Sequence, residues 1–421
     1  MDFRFLIARR YLAGRRQVTL ISFITGISVA GVALGVAALV VVLSVMNGFY
    51  YFVRDMLVSI DPHVRIVGVG KAGVANPDSL AAVALELPGV ESASAYVEGK
   101  ALLAPEEGAE VNKVVIVRGV DPQAYAGVSD VVDRTGFGAF DLERRNGRPG
   151  LVAGMSLAYR LALLPSTDSS AGRVALLSAP DIEDMATNFL GIMASPPALF
   201  DVRGLFEMED IYDESHVFIE TKEAQRLFRT GDFVSGVELR LADLEQADAV
   251  KQMLAARLPA PFEVVTWYDL RKSLYDVMRL EKWAATFVLG LIIVVASCNI
   301  VGSLTMIVIE KRRDVGVLRA MGVSRRDIRR IFLLEGVMVG VTGTVSGLVI
   351  GLGLALLQQH FGLVPLAGAE SFLIDAYPVF IEGGDLLTVS VAAIGLCAAA
   401  GLYPAVRAAA IEPAKAVNIE A

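Results

Sequence analysis

Residues 310–335 read EKRRDVGVLRAMGVSRRDIRRIFLLE, a densely charged stretch between two long apolar runs. Eight of these residues are Lys or Arg, and a short segment so basic beside membrane spans stays in the cytoplasm. Val315, Leu318 and Met321 recur at helical spacing, which predicts one apolar stripe on a short amphipathic helix. The stretch therefore indicates a membrane protein with a structured cytoplasmic segment.

A helix break follows within the same stretch. Gly322 suits the left-handed residue that ends a helix, and Ser324 with Asp327 three residues later predicts the cap of a second helix. That second helix continues without a breaker into the next apolar run. Two interpretations stay open on spacing alone: a stiff projection that docks on a partner, or a basic loop that only fixes orientation.

The composition indicates a hybrid of membrane spans and a soluble domain. The 421 residues are 54% hydrophobic with a mean hydropathy of +0.56, yet 20% of them are charged. Cys298 and Cys397 both lie in apolar runs, without the spacing of metal ligands. The sequence contains no GxxxxGKS/T, HExxH or GxSxG motif. We therefore expect no enzyme activity, no cofactor or metal bound by this chain, and no nucleic-acid partner.

Four apolar runs predict transmembrane helices, because each is long enough to cross a bilayer. The predicted spans cover residues 20–49, 283–309, 331–357 and 386–406. The apolar core of the third span begins at Gly336, and none of the four cores contains Asp, Glu, Lys or Arg, which argues against transport coupled to an ion gradient. Glycines from Gly336 to Gly351 recur along the third span and predict close packing against a helix of this chain or of a partner.

The charge distribution predicts the orientation. Residues 1–19 carry five Arg among apolar residues, which is typical of an amphipathic helix on the inner membrane surface or of a plain charged segment. The loop at 358–385 carries four acidic residues and no Lys or Arg. With the basic segment 310–330 inside, both termini are expected in the cytoplasm, including the tail 407–421, and the loop at 358–385 outside.

Residues 50–281 predict a mixed α/β extracytoplasmic domain between the first and second spans. From Arg54 to Lys282 there are 23 basic and 35 acidic residues, a net charge of −12. Runs rich in Val, Ile and Phe predict strands at 64–70, 111–119, 173–178, 198–206, 216–220, 234–241 and 262–267. Helices are predicted near 77–87, 221–229, 243–258 and 268–283, and loops over 121–150. The predicted fold class is an α-helical membrane protein with four transmembrane helices plus this inserted domain.

Several segments resemble one permease family. These are the basic stretch EKRRDVGVLRAMGVSRRDIRRIFLLEG, the first span ISFITGISVAGVALGVAALVVVLSVMNGF, and the shorter motifs LEKW, SCNIVGSL and LYP. They resemble the LolC/LolE family, the transmembrane subunits of the ABC-type lipoprotein-releasing complex, within the macrolide-exporter-like permease superfamily. A LolC-type and a LolE-type subunit stay open as alternatives.

The resemblance implies a partner ATPase. In the family, the segment at 310–330 is the coupling helix, which docks on a separate cytoplasmic ATPase subunit that holds ATP and magnesium. The resemblance also implies a second like permease subunit, either the same or paralogous. The residues expected to couple are Arg313, Asp314, Val315, Gly316, Leu318, Arg319, Met321 and Gly322.

The resemblance further implies a cavity for the lipid anchor of a lipoprotein, outlined by spans one and two. The end of span one, SVMNGFYYF at 44–52, is unusually aromatic, and an interfacial aromatic belt is the alternative explanation. Asn299 in span two either lines this cavity or hydrogen-bonds between helices. The expected cavity residues are Met46, Phe49, Tyr50, Phe52 and Asn299.

A hairpin in the family's external domain hooks the periplasmic carrier protein in one of the two subunit types. The corresponding stretch here is NFLGIMASPPALFDV at 188–202, although its tip MASPP departs from the family pattern. The residues expected at this contact are Leu190, Gly191, Ile192, Met193 and Pro196.

These inferences predict an inner-membrane permease subunit with a periplasmic domain. The ATP-driven complex would extract lipoproteins from the outer leaflet of the inner membrane and pass them to a periplasmic carrier by mechanical transmission. Two alternatives stay open: a regulatory permease that transmits the state of the ATPase to periplasmic partners, and an efflux permease.

Overall fold

The structure is a computed structural model that describes residues 7, 19–59, 61–68, 73–106, 112–163, 165, 172–181, 197–208, 210–258, 261–366 and 376–412. The chain divides into two compact units. A helical unit comprises Met1–Phe52 and Asp276–Ala421, and a strand-rich unit comprises Val53–Tyr275. The strand-rich unit is therefore an insertion between the first and second long helices.

The described helices, numbered in chain order, are α1 Thr19–Val58, α2 Pro77–Leu85, α3 Pro122–Tyr125, α4 Met155–Leu161, α5 Asp210–Asp213, α6 Thr221–Phe228, α7 Ala247–Arg257, α8 Trp267–Leu270, α9 Lys272–Glu310, α10 Arg312–Ala320, α11 Arg325–Phe361 and α12 Gly383–Ala409. The long helices α1, α9, α11 and α12 have the length and apolar composition to cross a membrane. The prediction of four transmembrane helices is confirmed.

The described strands are β1 Val64–Gly68, β2 Val90–Pro105, β3 Lys113–Val120, β4 Thr135–Gly138, β5 Arg144–Arg145, β6 Arg148–Gly154, β7 Arg173–Ser178, β8 Ala198–Phe206, β9 His216–Glu220, β10 Gly236–Leu241 and β11 Phe262–Thr266. Their main path runs β11-β1-β10-β2-β3-β9-β6-β8-β4 in one sheet. β3 pairs with β9 and β6 with β8 in parallel, whereas the other pairs along the path are antiparallel. The inserted domain is thus mixed α/β, as predicted.

The prediction of loops over 121–150 is wrong for part of that range and holds for 126–134 and 139–143. Residues 121–150 contain α3, β4, β5 and the beginning of β6. Its Gly, Pro and charged residues are tolerated because β4 lies at the sheet edge, where its last three residues are exposed. The long strand β2 was also not predicted, although it pairs with β10, β3 and β7. Its small and polar residues hide the alternation by which a strand is recognised.

The glycine stripe of α11 lies at contacts with other helices of this chain. A Cβ on Gly347 would lie 2.6 Å from the Ala33 carbonyl oxygen of α1, and one on Gly351 would lie 2.9 Å from Val40 Cβ of the same helix. Towards the other end of the helix, a Cβ on Gly340 would lie 2.7 Å from Cys397 Cβ of α12. The stripe therefore packs inside this chain, against two different helices.

Candidate functional site

The basic stretch folds as two helices with a defined break. α10 ends at Ala320, and Gly322 has φ of +95°, the left-handed conformation that a glycine adopts without strain. The Ser324 hydroxyl then accepts a hydrogen bond from the Asp327 backbone N–H at 3.2 Å and donates to the Asp327 carboxylate at 2.7 Å. α11 continues from this cap through Phe361. The predicted stop and cap are confirmed.

The predicted apolar stripe divides between two environments. Val315 is 1% exposed, and it packs in the hydrophobic core of the helical unit together with the partly buried Leu318. Met321 is 77% exposed, and Val317 is also exposed. The prediction that Val315, Leu318 and Met321 form one surface is therefore wrong. Val315 and Leu318 anchor α10, and Val317 and Met321 supply the apolar groups that a partner can reach.

Charged side chains surround these exposed residues. Arg313 and Asp314 are exposed, whereas the half-buried Arg319 donates from Nη1 to the Ala409 carbonyl oxygen at 3.2 Å. Gly316 is buried in α10. Four further arginines are exposed in the first turns of α11: Arg325, Arg326, Arg329 and Arg330. The arrangement is a fixed, basic surface that carries two exposed apolar side chains.

The aromatic end of span one is half-buried. Met46, Phe49, Tyr50 and Phe52 all have intermediate exposure. The neighbouring Tyr51 ring lies 4.5 Å, centroid to centroid, from Phe380, a residue just before α12. The predicted cavity residues of span one are therefore partly accessible to solvent, lipid or another chain.

A polar cluster beside these aromatics joins three helices. Asn47 of α1 donates from Nδ2 to Asp385 Oδ2 of α12 at 2.8 Å. Lys282 Nζ of α9 lies 3.0 Å from the same Asp385 oxygen and 3.7 Å from Glu382. In the sequence, Glu382 and Asp385 indicate only that the loop at 358–385 lies outside. The sequence feature that points to this cluster is Lys282, a basic residue at the start of one apolar run, together with the acidic residues that precede another.

Asn299 is not buried between helices, as an asparagine that hydrogen-bonds from one helix to another would be. It is exposed on α9, while its neighbour Ser297 is 5% exposed and donates to the Ile293 carbonyl oxygen at 2.8 Å. The helical 100° rotation per residue explains the difference, since Ile293, Ser297 and Ile300 lie on the inward face and Asn299 does not. Asn299 therefore bridges no two helices in the part of the chain that the structure describes.

Comparison with known proteins places this geometry in a family. The MacB-like periplasmic core domain model matches residues 25–257, and the FtsX-like permease C-terminal model matches residues 286–413. The chain is 31% identical over 98% of both chains to the lipoprotein-releasing system transmembrane protein LolC of Xylella fastidiosa. The chain belongs to the LolC/LolE family.

Two further relatives show the breadth of the similarity. The LolC/LolE-family chain is 30% identical to the lipoprotein-releasing system transmembrane protein LolE of Haemophilus influenzae, over 99% of this chain and 100% of that one. It is also 23% identical to the macrolide export ATP-binding/permease protein MacB of Bdellovibrio bacteriovorus, over 94% of this chain but 59% of that protein. This LolC/LolE-family chain is thus an ABC transporter permease of the transmembrane class.

Several predicted residues of this LolC/LolE-family protein lie outside the described residues. They include the carrier-contact residues Leu190, Gly191, Ile192, Met193 and Pro196, and nearly all of the amphipathic segment 1–19. Among the residues that the structure describes, no group of three or more His, Cys, Asp or Glu could hold a metal ion.

Proposed function

We propose that this protein is the permease subunit of an ATP-driven complex that extracts lipoproteins from the outer leaflet of the inner membrane and passes them to a periplasmic carrier. The observation that carries the proposal is the end-to-end match to lipoprotein-releasing transmembrane proteins, over 98% of both chains. In this proposal both termini and the segment 310–330 are cytoplasmic, and the inserted domain and residues 358–385 are periplasmic.

The basic segment is the proposed ATPase-docking surface. Its two helices are held by the buried Val315 and by the Ser324 cap, so that a push on the exposed Met321 is transmitted to α10 and α11 as rigid elements. ATP and magnesium belong to a separate ATPase subunit. The four-helix core is filled by apolar side chains, and a path for cargo therefore requires a second like permease subunit.

Substitution at the exposed position tests docking. Met321→Asp places a charge where a partner's surface would close, and we expect it to reduce co-purification of the ATPase at least tenfold. Leu318→Asp is a poorer test because Leu318 packs in the chain's own core. Tyr159→Asp is the matched control, since Tyr159 is 89% exposed in the inserted domain. Unchanged ATPase binding by Met321→Asp would contradict the docking role.

The aromatic end of span one, with Asn299 of span two, is the proposed contact for the acyl chains. An exposed amide on a membrane helix is costly against lipid, which favours a position facing a cavity or a second subunit. A photo-crosslinking residue at Phe49 or Tyr50 should label acylated lipoprotein when ATP is withheld. The same residue at Val349, 68% exposed on α11, is the control. Equal labelling at both sites would refute the assignment.

Carrier contact is proposed for residues 190–196, the stretch that corresponds to the family's carrier-binding hairpin. A crosslinking residue at Met193 should capture a periplasmic carrier if the chain is of the carrier-binding type. Absence of capture, with normal cargo labelling from Phe49, would assign the carrier to the partner permease instead.

The regulatory alternative differs in one measurable property. A permease that only transmits the state of the ATPase should retain no acylated lipoprotein on purification without ATP, whereas a release subunit should retain it. The efflux alternative predicts drug sensitivity on deletion. The macrolide export relative combines ATP-binding and permease functions in one protein, of which this chain matches only 59%.

A further inference from the structure

One acidic side chain lies inside the helical unit without a hydrogen-bond or ion-pair partner among the described residues. Glu335 is on α11 and 0% exposed, and in the part of the chain that the structure describes neither of its carboxylate oxygens accepts a hydrogen bond. Its buried neighbours along the helix are the apolar Ile331, Phe332 and Val339. The expectation that the spans lack acidic residues placed Glu335 at the margin of the third apolar core. The structure instead places Glu335 on the buried face of α11, in the packed interior of the helical unit.

The polar and charged groups on the helices around it are occupied elsewhere. Ser303 of α9 donates to its own helix, at the Ile300 carbonyl oxygen, and Lys311 lies within 4.0 Å of Glu310. Arg319 of α10 bonds to the Ala409 carbonyl, and Arg407 of α12 lies 5.5 Å from the centre of the Tyr403 ring. No described residue therefore compensates a charge on Glu335.

Burial without a partner decides which form of the acid this packing favours. An isolated carboxylate in an apolar interior costs several kcal/mol, whereas a neutral carboxyl group costs much less. Glu223 and Glu238 in the strand-rich unit are also buried, but Arg144 lies 2.9 Å from the first and Arg65 2.8 Å from the second. Among the buried glutamates of the described residues, Glu335 alone lacks a cation.

Glu335 lies next to a glycine at which α11 packs against α12. A Cβ on the adjacent Gly336 would lie 3.2 Å from the Cys397 carbonyl oxygen and 3.3 Å from Gly401 Cα, both on α12. The same unbroken helix carries Arg325 and Arg326 in its first turn. A movement imposed on the basic segment therefore reaches Glu335 and the α11–α12 contact through one rigid element.

We propose that Glu335 is a proton-binding site of the membrane-spanning unit, occupied while α11 packs against α12 and vacated when that contact opens. On opening, the carboxyl O–H bond breaks and the proton passes to water, leaving the carboxylate hydrated. Low pH then favours the packed state, and each pH unit above the ordinary range of a glutamate shifts the balance up to tenfold towards the open state. This proposal depends on neither the cargo nor the ATPase.

Infrared spectroscopy of the purified full-length chain in lipid nanodiscs tests occupancy directly. At mildly alkaline pH the spectrum should show the carbonyl band of a neutral carboxyl group, and labelling with 13C-glutamate should shift it. Glu335→Gln should remove the band, and Glu310→Gln, at an exposed position of α9, should leave it. Absence of a neutral glutamic acid band in the wild-type chain overturns the proposal even if Glu335→Gln does not fold.

The two native cysteines report the linked opening. Cys397 is 0% exposed at the α11–α12 contact, and Cys298 is exposed on α9, so that the alkylation rate of Cys298 serves as the reference for an exposed thiol at each pH. The ratio of the Cys397 rate to the Cys298 rate should rise with pH by up to tenfold per unit in the wild-type chain and in Glu310→Gln, and stay flat in Glu335→Gln. A flat wild-type ratio, or an unchanged slope in Glu335→Gln, overturns the proposal.

Discussion

Arg271 Nε donates to Asp61 Oδ2 at 3.1 Å, and this bond joins the two points at which the chain enters and leaves the inserted domain. Asp61 follows the end of α1, and Arg271 immediately precedes α9. The Tyr212 hydroxyl donates to the same Asp61 oxygen at 2.9 Å and is also bonded by Arg271. The two connections to the membrane helices are thus tied together by a partly buried network.

Removing the guanidinium should loosen this junction. Arg271→Ala removes one of the two side-chain hydrogen bonds that the described residues make to the buried Asp61 carboxylate. We therefore expect a loss of about 1–3 kcal/mol in the unfolding free energy of the inserted domain. Urea unfolding followed by Trp267 fluorescence in a Trp283→Phe background measures it. Arg257→Ala is the control, since Arg257 is 51% exposed and its ion pair with Glu86 spans 3.8 Å. Equal losses of unfolding free energy in Arg271→Ala and Arg257→Ala would contradict a stabilising role of the Arg271–Asp61 bond.

The glycine stripe of α11 makes a prediction with its control on the same helix. Gly347→Ala places a Cβ 2.6 Å from the Ala33 carbonyl and 2.7 Å from Val36 Cβ, and the helices must separate. We expect a loss of about 1–3 kcal/mol, measured as thermal stability in detergent. Gly353→Ala has nothing within 4 Å and should be neutral or slightly stabilising. A harmless Gly347→Ala would contradict the close packing.

Local signals in the sequence were enough to locate the spans and the helix break. Apolar length gave four helices, and Gly322 and Ser324 act as predicted because stops and caps depend on neighbouring residues. Seven strands were predicted from their Val- and Ile-rich runs. β2 was not, because much of its stability comes from pairing with β7 and β10, which lie far away in the chain.

The sequence could not decide which side of each helix is buried. Spacing placed Val315 and Met321 on one stripe, yet only Val315 is inside, since Met321 follows the last residue of α10. The exposure of Asn299 and the burial of Glu335 could not be predicted for the same reason: the neighbouring helices determine which side of a helix is covered. The polar cluster of Asn47, Lys282 and Asp385 joins residues far apart in sequence.

Two histidines of the inserted domain predict a loss of stability on acidification. Burial first, and then Arg240, lowers the pKa of His63 to about 4; burial and then Arg118 lower the pKa of His216 to about 4. The unfolded chain binds these protons near pH 6.5 and the folded chain does not. The contribution of each histidine to stability is therefore full above about pH 6.5 and is lost as the pH falls towards 4. Over this range the equilibrium constant for folding decreases by up to about tenfold per pH unit for each histidine.

Urea midpoints of the inserted domain across this pH range measure the effect, again by Trp267 fluorescence. His216→Gln should reduce the slope, because it removes one group that must be charged on unfolding. His360→Gln, an exposed position at the end of α11, should leave the slope unchanged. A pH-independent wild-type midpoint would contradict the assignment of His63 and His216 as neutral in the folded domain.

The polar cluster at the end of span one predicts energetic coupling between α1 and α12. Asn47 is 4% exposed and bonds to Asp385, which also receives Lys282, so that each single substitution leaves the same bond unmade. A double-mutant cycle of Asn47→Ala and Asp385→Ala should therefore show a coupling of about 1 kcal/mol, read from thermal unfolding in detergent. Asn299→Ala is the matched control, because the same amide on the outward face of α9 should be additive with Asp385→Ala. If the effects of Asn47→Ala and Asp385→Ala were additive as well, the Asn47–Asp385 hydrogen bond would not stabilise the contact between α1 and α12. These helices could then separate without the loss of a polar interaction.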